Sequence, residues 1–216
     1  MNFKAVIFDL DGTLINSIED LADSMNKVLR QNNLPVHKME AYKYFVGNGL
    51  RNLVKAALPE SHQEEAFIKN AMAEMMEIYS DNCINKTTIY KDIPDLLDGL
   101  VLRDIKAAVF SNKPDELTKK VVKALFPDHP FEAVIGFTDE SLKKPNPVVA
   151  LSFCDALGLP PKNVLYVGDS GVDMQTANNA GMFAVGALWG FRTKEELALN
   201  GARNFLNHPL DLFKLF

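Results

Sequence analysis

The sequence predicts an α/β fold: a Rossmann-like parallel sheet with helices on both faces, plus an inserted all-α segment. Three observations carry this expectation. From about residue 95 onward, short apolar runs rich in Val, Ile and Phe alternate with helical stretches of about ten residues, the pattern of βαβ units. Between residues 16 and 86 the apolar spacing is helical and no strand signal interrupts it. A first apolar run, Lys4 to Phe8, precedes that block, so the helices interrupt the sheet-forming chain directly after its first strand. The expected division is residues 1–15 and 87–216 for the α/β core and 16–86 for the helical insertion.

Composition narrows the class. The 216 residues are 47% hydrophobic and 24% charged, ordinary for a globular protein and enough to bury a core. A net charge of −5 with scattered lysines and arginines offers no basic footprint for nucleic acid. Small molecules are the expected partners. No apolar run reaches the ~18 residues of a membrane span, and the first apolar run is short of a signal peptide. Cys83 and Cys154 stand far apart without a CxxC pattern, which fits a reducing, cytoplasmic setting.

The elements follow in order. Ser17 is a candidate N-cap, with Glu19 and Asp20 in the first helical turn, where the helix dipole favours acids. Ile18, Leu21, Ala22, Met25, Val28 and Leu29 then share one helical face. Leu50 to Leu58 and Glu64 to Tyr79 give two further helices, the latter with a methionine-rich stripe that reads as packing between helices. Asp95 to Arg103 is helical, Lys106 to Phe110 a strand and Asp115 to Phe126 a helix. Ala133 to Ile135 is a strand, and Pro147 to Leu157 a helix with Pro at its first position and Gly158 after its end. Asn163 to Val167 and Phe183 to Val185 are strands around a helix from Val172 to Ala180. Lys194 to Leu199 closes the helices, with Asn204 to Leu206 as an edge strand.

In open α/β sheets, ligands bind beyond the carboxyl ends of the strands. Asp9 and Asp11 follow the first strand; Ser111, Asn112 and Lys113 follow the second. Beyond the third and its loop come Lys143, Lys144 and Pro145, and after the fourth come Gly168, Asp169, Ser170 and then Asp173. Each group alone has a plainer explanation as a helix cap, a turn or a solvated pair. Their coincidence at successive strand ends points to one site. Gathered carboxylates repel one another unless a cation offsets them, and an all-oxygen donor set suits Mg²⁺ that also touches a substrate phosphate. Gly12 supplies a tight turn and lets another group approach the backbone. No Walker A or GxGxxG pattern occurs.

Asp9-Leu10-Asp11-Gly12-Thr13-Leu14, Ser111, Lys144-Pro145 and Gly168-Asp169-Ser170 with Asp173 resemble, in order and spacing, the four motifs of the haloacid dehalogenase-like hydrolases. The match spans essentially the whole chain. The helical insertion is similar to that superfamily's cap domain. Val46-Gly47-Asn48-Gly49, Ser111-Asn112-Lys113-Pro114 and Trp189-Gly190-Phe191-Arg192 resemble the phosphoglycolate phosphatases within it.

The resemblance implies a Mg²⁺-dependent phosphatase. Asp9 would be the nucleophile that becomes an aspartyl phosphate, and Asp11 the acid and then the base. Ser111 and Lys144 would hold the phosphoryl group; of the two lysines, Lys144 directly precedes Pro145, as in the pattern. The metal would be held by Asp9, the Asp11 carbonyl and Asp169, with Asp173 in support. Gly12 and Asn112 join the expected substrate-binding set. In the cap, Gly47, Asn48, Gly49 and Arg51 form the candidate substrate-reading loop, with Arg51 poised for a substrate carboxylate. The plainer alternative there is that the glycines start a helix and Arg51 is solvated. The expected substrate is 2-phosphoglycolate; pyrophosphate, a sugar phosphate or a β-phosphoglucomutase-like transfer are the alternatives. A monomer or homodimer is expected.

Overall fold

The computed structural model describes residues 3–216; residues 1 and 2, which the expected core includes, lie outside the described residues. The first strand, Ala5–Phe8 (β1), is buried along its whole length. A two-residue strand, Ile15–Asn16 (β2), leads into four helices: Ile18–Gln31 (α1), Met39–Phe45 (α2), Leu50–Ala57 (α3) and Glu65–Asn82 (α4). Thr88–Ile89 (β3) pairs antiparallel with β2, Ile15 opposite Ile89, so the chain leaves and re-enters the sheet domain side by side. The rest alternates: Ile93–Leu102 (α5), Lys106–Pro114 (β4), Asp115–Leu125 (α6), Ala133–Phe137 (β5), Val148–Leu157 (α7), Val164–Gly168 (β6), Gly171–Asn179 (α8), Phe183–Ala187 (β7), Lys194–Leu199 (α9) and Asn204–Leu206 (β8).

Among the described residues six strands form a parallel sheet in the order β5-β4-β1-β6-β7-β8. From β1 the chain builds outward through β4 to β5, then crosses to β6 on the other side of β1. That reversal opens a crevice at the carboxyl ends of β1, β4 and β6, where such sheets bind ligands.

The pleat sorts side chains into two cores. Val6, Phe8, Val109, Leu165 and Val167 face one layer, continuous with the inserted helices. Ala5, Ile7, Phe110, Val164 and Tyr166 face the other, against α7 and α8. Both faces are covered, which is why the strands read as near-continuous apolar runs. β8 stands at the edge, as expected.

Several local expectations change. A short helix, α2, precedes the predicted second helix; its seven residues are too few to show a clear period. The β2–β3 ribbon has two residues per strand and carries no alternation signal. Pro147 occupies the N-cap of α7 rather than its first turn. Strand β4 extends past Phe110 to Pro114, with a register shift in that stretch. Ser17 stands at the α1 N-cap without capping it through its side chain.

The methionine stripe packs as read: Met75 is fully buried, and Met72 and Met76 pack against the core. Asp20, read only as a helix-dipole acid, is buried in α1. Its carboxylate accepts the backbone amides of Lys86 at 3.0 Å and Thr87 at 2.8 Å, together with the Thr87 hydroxyl. One carboxylate thus ties the two ends of the insertion together.

Candidate active site

Beyond β1 the chain turns at Gly12, whose φ is +89°. A Cβ built there would fall 2.3 Å from an Asp169 carboxylate oxygen. Only glycine combines that backbone angle with that proximity. The turn seats Asp9 and Asp11 at the strand end, while β6 delivers Asp169 beside them.

Asp9, Asp169 and Asp173 are buried, and one carboxylate oxygen of each lies within 4.8 Å of the others. Lys144, its side chain 2% exposed, sits among them with Nζ 2.8 Å from Asp9 Oδ1 and 2.7 Å from Asp173 Oδ1. Asn112 positions this lysine's backbone, accepting the Lys144 amide at 2.9 Å. The neighbouring Lys143 faces elsewhere, toward Glu140 at 3.6 Å. The structure therefore brings Lys144, not Lys143, into the cluster.

Electrostatics follow from this packing. Burial, reinforced by Asp173 and opposed by Lys144, pushes the Asp9 carboxyl up to about 7. Burial and then the Asp9 and Asp173 charges hold Asp169 well above the carboxylate range. Burial works against the Lys144 ammonium, but Asp173 and Asp9 outweigh it and keep it protonated. Three carboxylates against one lysine leave an uncompensated negative charge, which is costly in a buried site.

That imbalance, together with an all-oxygen donor set, fits a divalent cation. Asp9, Asp169 and Asp173 each offer an oxygen to it. Asp173 is the most heavily engaged of the three, Oδ1 by the Lys144 ammonium and Oδ2 by the Ser170 amide and hydroxyl. Asp169 accepts the Phe191 amide at 2.7 Å and the Thr13 hydroxyl at 3.3 Å, which orients it toward Asp9 without neutralising it.

A cleft opens above Asp9 and Asp11. Ser111, Asn112 and Lys113 line its sheet side; Gly47, Gly49, Leu50, Leu53, Leu21 and Tyr79 line the side formed by the inserted helices. Asn112 Nδ2 also donates to the Gly47 carbonyl at 3.3 Å. Arg192, after β7, donates to the Val46 and Tyr44 carbonyls at 2.7 and 3.2 Å. The Gly47–Gly49 loop is thus held over the strand ends from two sides.

Two of the loop's expected substrate residues lie elsewhere. Asn48 is exposed, outside the cleft lining. Arg51 sits outside it as well, its guanidinium paired with Glu65 at 2.6 Å. The site instead contains residues the sequence reading left without a role. Lys113 Nζ is 2.6 Å from Asp11 Oδ1, with its side chain 3% exposed. The Ser17 hydroxyl donates to the same Asp11 oxygen. The register shift after Phe110 lets three consecutive polar residues of β4 face the cleft. A lysine continuing an apolar strand was the available signal; Ser17 carried none beyond its suitability as a cap.

Such a constellation, at the switch point of a parallel α/β sheet, is that of a hydrolase acting on an anionic ester: a buried carboxylate, a paired lysine, a hydroxyl and a cation-deficient acidic cluster. The comparisons with known proteins give the class its family. Residues 6–187 match the family model of the haloacid dehalogenase-like hydrolases. A phosphoglycolate phosphatase of Mannheimia succiniciproducens is 33% identical over 202 residues, 91% of this chain and 90% of that protein. One from Aquifex aeolicus is 33% identical over 214 residues, 98% of this chain and 96% of that protein. A crystal structure from Lactobacillus delbrueckii subsp. bulgaricus superposes with a TM-score of 0.92 at 28% identity, covering 100% of this chain and 98% of that one.

The chain belongs to the haloacid dehalogenase-like hydrolase family. Within it, the protein is a phosphoric monoester hydrolase. No helix among the described residues is long and apolar enough to cross a membrane.

Proposed function

We propose that the protein is a Mg²⁺-dependent phosphatase that hydrolyses 2-phosphoglycolate through an aspartyl phosphate on Asp9. The observation that carries this reading is the pairing of two aspartates two residues apart with separate lysines: Asp9 with Lys144 and Asp11 with Lys113. Two neighbouring carboxylates in different environments can take different roles. The shared identity with phosphoglycolate phosphatases over nearly the whole chain supports the choice of substrate.

Asp9 attacks phosphorus from the floor of the cleft. Lys144 offsets the charge that builds up between this carboxylate and the phosphate. Ser111, buried at the end of β4 and lining the cleft, donates its hydroxyl to a phosphoryl oxygen. Asp11 delivers a proton to the departing ester oxygen and then takes one from the water that cleaves the acyl phosphate. Ser17 and Lys113 hold the Asp11 side chain in place for both steps. Asp9, Asp169 and the Asp11 carbonyl would hold Mg²⁺, with Asp173 fixing Lys144 and the start of α8. Bound there, the cation supplies charge neutralisation and orients the phosphate.

Residues 16–86 act as a cap over this site, hinged at the β2–β3 ribbon and resting on Asn112 and Arg192. Closing the cap excludes water during attack. Every residue in this scheme comes from one chain, so the mechanism runs in a monomer or in each half of a homodimer. The two buried free cysteines fit a reducing cytoplasm.

A substrate panel tests the reading. Among phosphoglycolate, pyrophosphate, sugar phosphates and nucleotides, phosphoglycolate is expected to give the highest kcat/KM. Turnover should stop with EDTA and return with Mg²⁺. Metal-independent turnover, or a higher kcat/KM for another panel member, would overturn it.

A further inference from the structure

The cleft end that faces away from Lys144 contains a second buried cation. Lys113 has three donor hydrogens; one goes to Asp11 Oδ1, and the Tyr79 hydroxyl lies close enough to take a second. Its Nζ lies 4.9 Å from the ring centroid of Tyr79 on α4. The Tyr79 side chain is buried and lines the cleft; its hydroxyl lies beside the Lys113 ammonium, and among the described residues no group accepts the hydroxyl's own proton. Around the pair the walls are apolar: Leu21, Val46, Leu50 and Leu53.

An ammonium with a spare donor and a hydroxyl whose proton has no acceptor are each costly in an apolar pocket. One small anion lying against both groups satisfies both. Arg51, the cation expected for this task, is outside the cleft and already paired with Glu65.

We propose that Lys113 and Tyr79 form the subsite for a carboxylate on the leaving group. The inference rests on the phosphatase reading above and names what that site selects. Geometry also limits the substrate's length. Lys113 touches Asp11 at 2.6 Å, and Asp11 faces the ester oxygen that departs. An anion shared with Lys113 must lie within one or two carbons of that oxygen. A short phosphorylated hydroxy acid meets this condition; a long sugar acid does not. Lys113 thereby has two tasks, to hold Asp11 and to recognise the substrate.

The test compares phosphoglycolate with 2-hydroxyethyl phosphate, its analogue with a hydroxyl in place of the carboxylate, in wild type, Lys113→Met, Lys113→Arg and Tyr79→Phe. Wild type is expected to prefer the carboxylate substrate by about 100-fold in kcat/KM, the scale of charge-assisted hydrogen bonds. Lys113→Met should bring that preference close to one, whatever it does to both rates through Asp11, and Lys113→Arg should restore part of it. Tyr79→Phe removes one hydroxyl and should lower the preference about tenfold, chiefly through KM for phosphoglycolate. Equal losses for both substrates in Lys113→Met and Tyr79→Phe would overturn the subsite and leave the phosphatase reading standing. A wild-type enzyme active on both substrates without preference would overturn both the subsite and the assignment of phosphoglycolate.

Discussion

Asp9→Asn is expected to abolish turnover, by at least about 10⁴-fold in kcat, because it removes the attacking group itself. The same substitution should make the metal-free protein more stable. Asp9 is buried with Asp169 and Asp173, and its carboxyl is pushed up from 3.8 to about 7. A carboxyl whose folded pKa lies above its unfolded value takes up a proton on folding between the two values. The Asp9 contribution to wild-type stability therefore falls as pH rises from about 4 to about 7 and levels off above that range. Asparagine at this position has no such dependence. The Tm advantage of Asp9→Asn over metal-free wild type should be small near pH 5 and largest near pH 8. Mg²⁺ should narrow it by stabilising wild type more than the variant. Thermal melts at the two pH values, with and without Mg²⁺, check the sign. A variant less stable than metal-free wild type at pH 8 would contradict the electrostatic account of the site.

Lys144→Ala should produce the opposite pattern, with activity and stability lost together. The lysine is 2% exposed and contacts both Asp9 and Asp173. Its removal leaves buried carboxylates without their partner, at a cost of about 3–5 kcal/mol. For a chain of this size that corresponds to a fall in Tm on the order of 10 °C. The rate should fall about 10²–10³-fold, as when a group that stabilises transition-state charge is removed. Mg²⁺ is expected to recover part of the stability but little of the rate, because Lys144 neutralises charge at a different point from the cation. Calorimetry and steady-state kinetics on the same preparation separate the two effects. The matching Lys143→Ala change should be milder in both, since that ammonium lies outside the carboxylate cluster, beside Glu140 and Gly49.

The strand ends were the most legible part of the molecule. Asp9, Ser111 and Asp169 each stand at the end of an apolar run whose burial on both faces makes it stand out; Lys144 lies a loop beyond the partly buried β5 and was marked by Pro145 after it. Periodicity alone also recovered α1, α3 and α4, because each turns one apolar face inward. What stayed hidden has a different physical origin. The β2–β3 ribbon and α2 are too short to display a period. Asp20, Ser17 and Tyr79 have ordinary local explanations as a dipole acid, a cap and a packing residue. Their partners are Thr87, Asp11 and the cleft beside Lys113, and only the folded chain brings those together. Arg51 illustrates the converse: a suitable side chain in a suitable loop, turned instead toward a nearby glutamate.

The central claim, a covalent phosphoryl group on Asp9, is tested most directly by trapping it. Asp11→Asn should react with p-nitrophenyl phosphate, whose leaving group needs no acid, and then stall because no base activates the water of the second step. Acid quenching, borohydride reduction of the acyl phosphate and peptide mass spectrometry should then find homoserine at position 9. Modification at another carboxylate, or p-nitrophenol release with no covalent phosphoryl enzyme, would contradict the account.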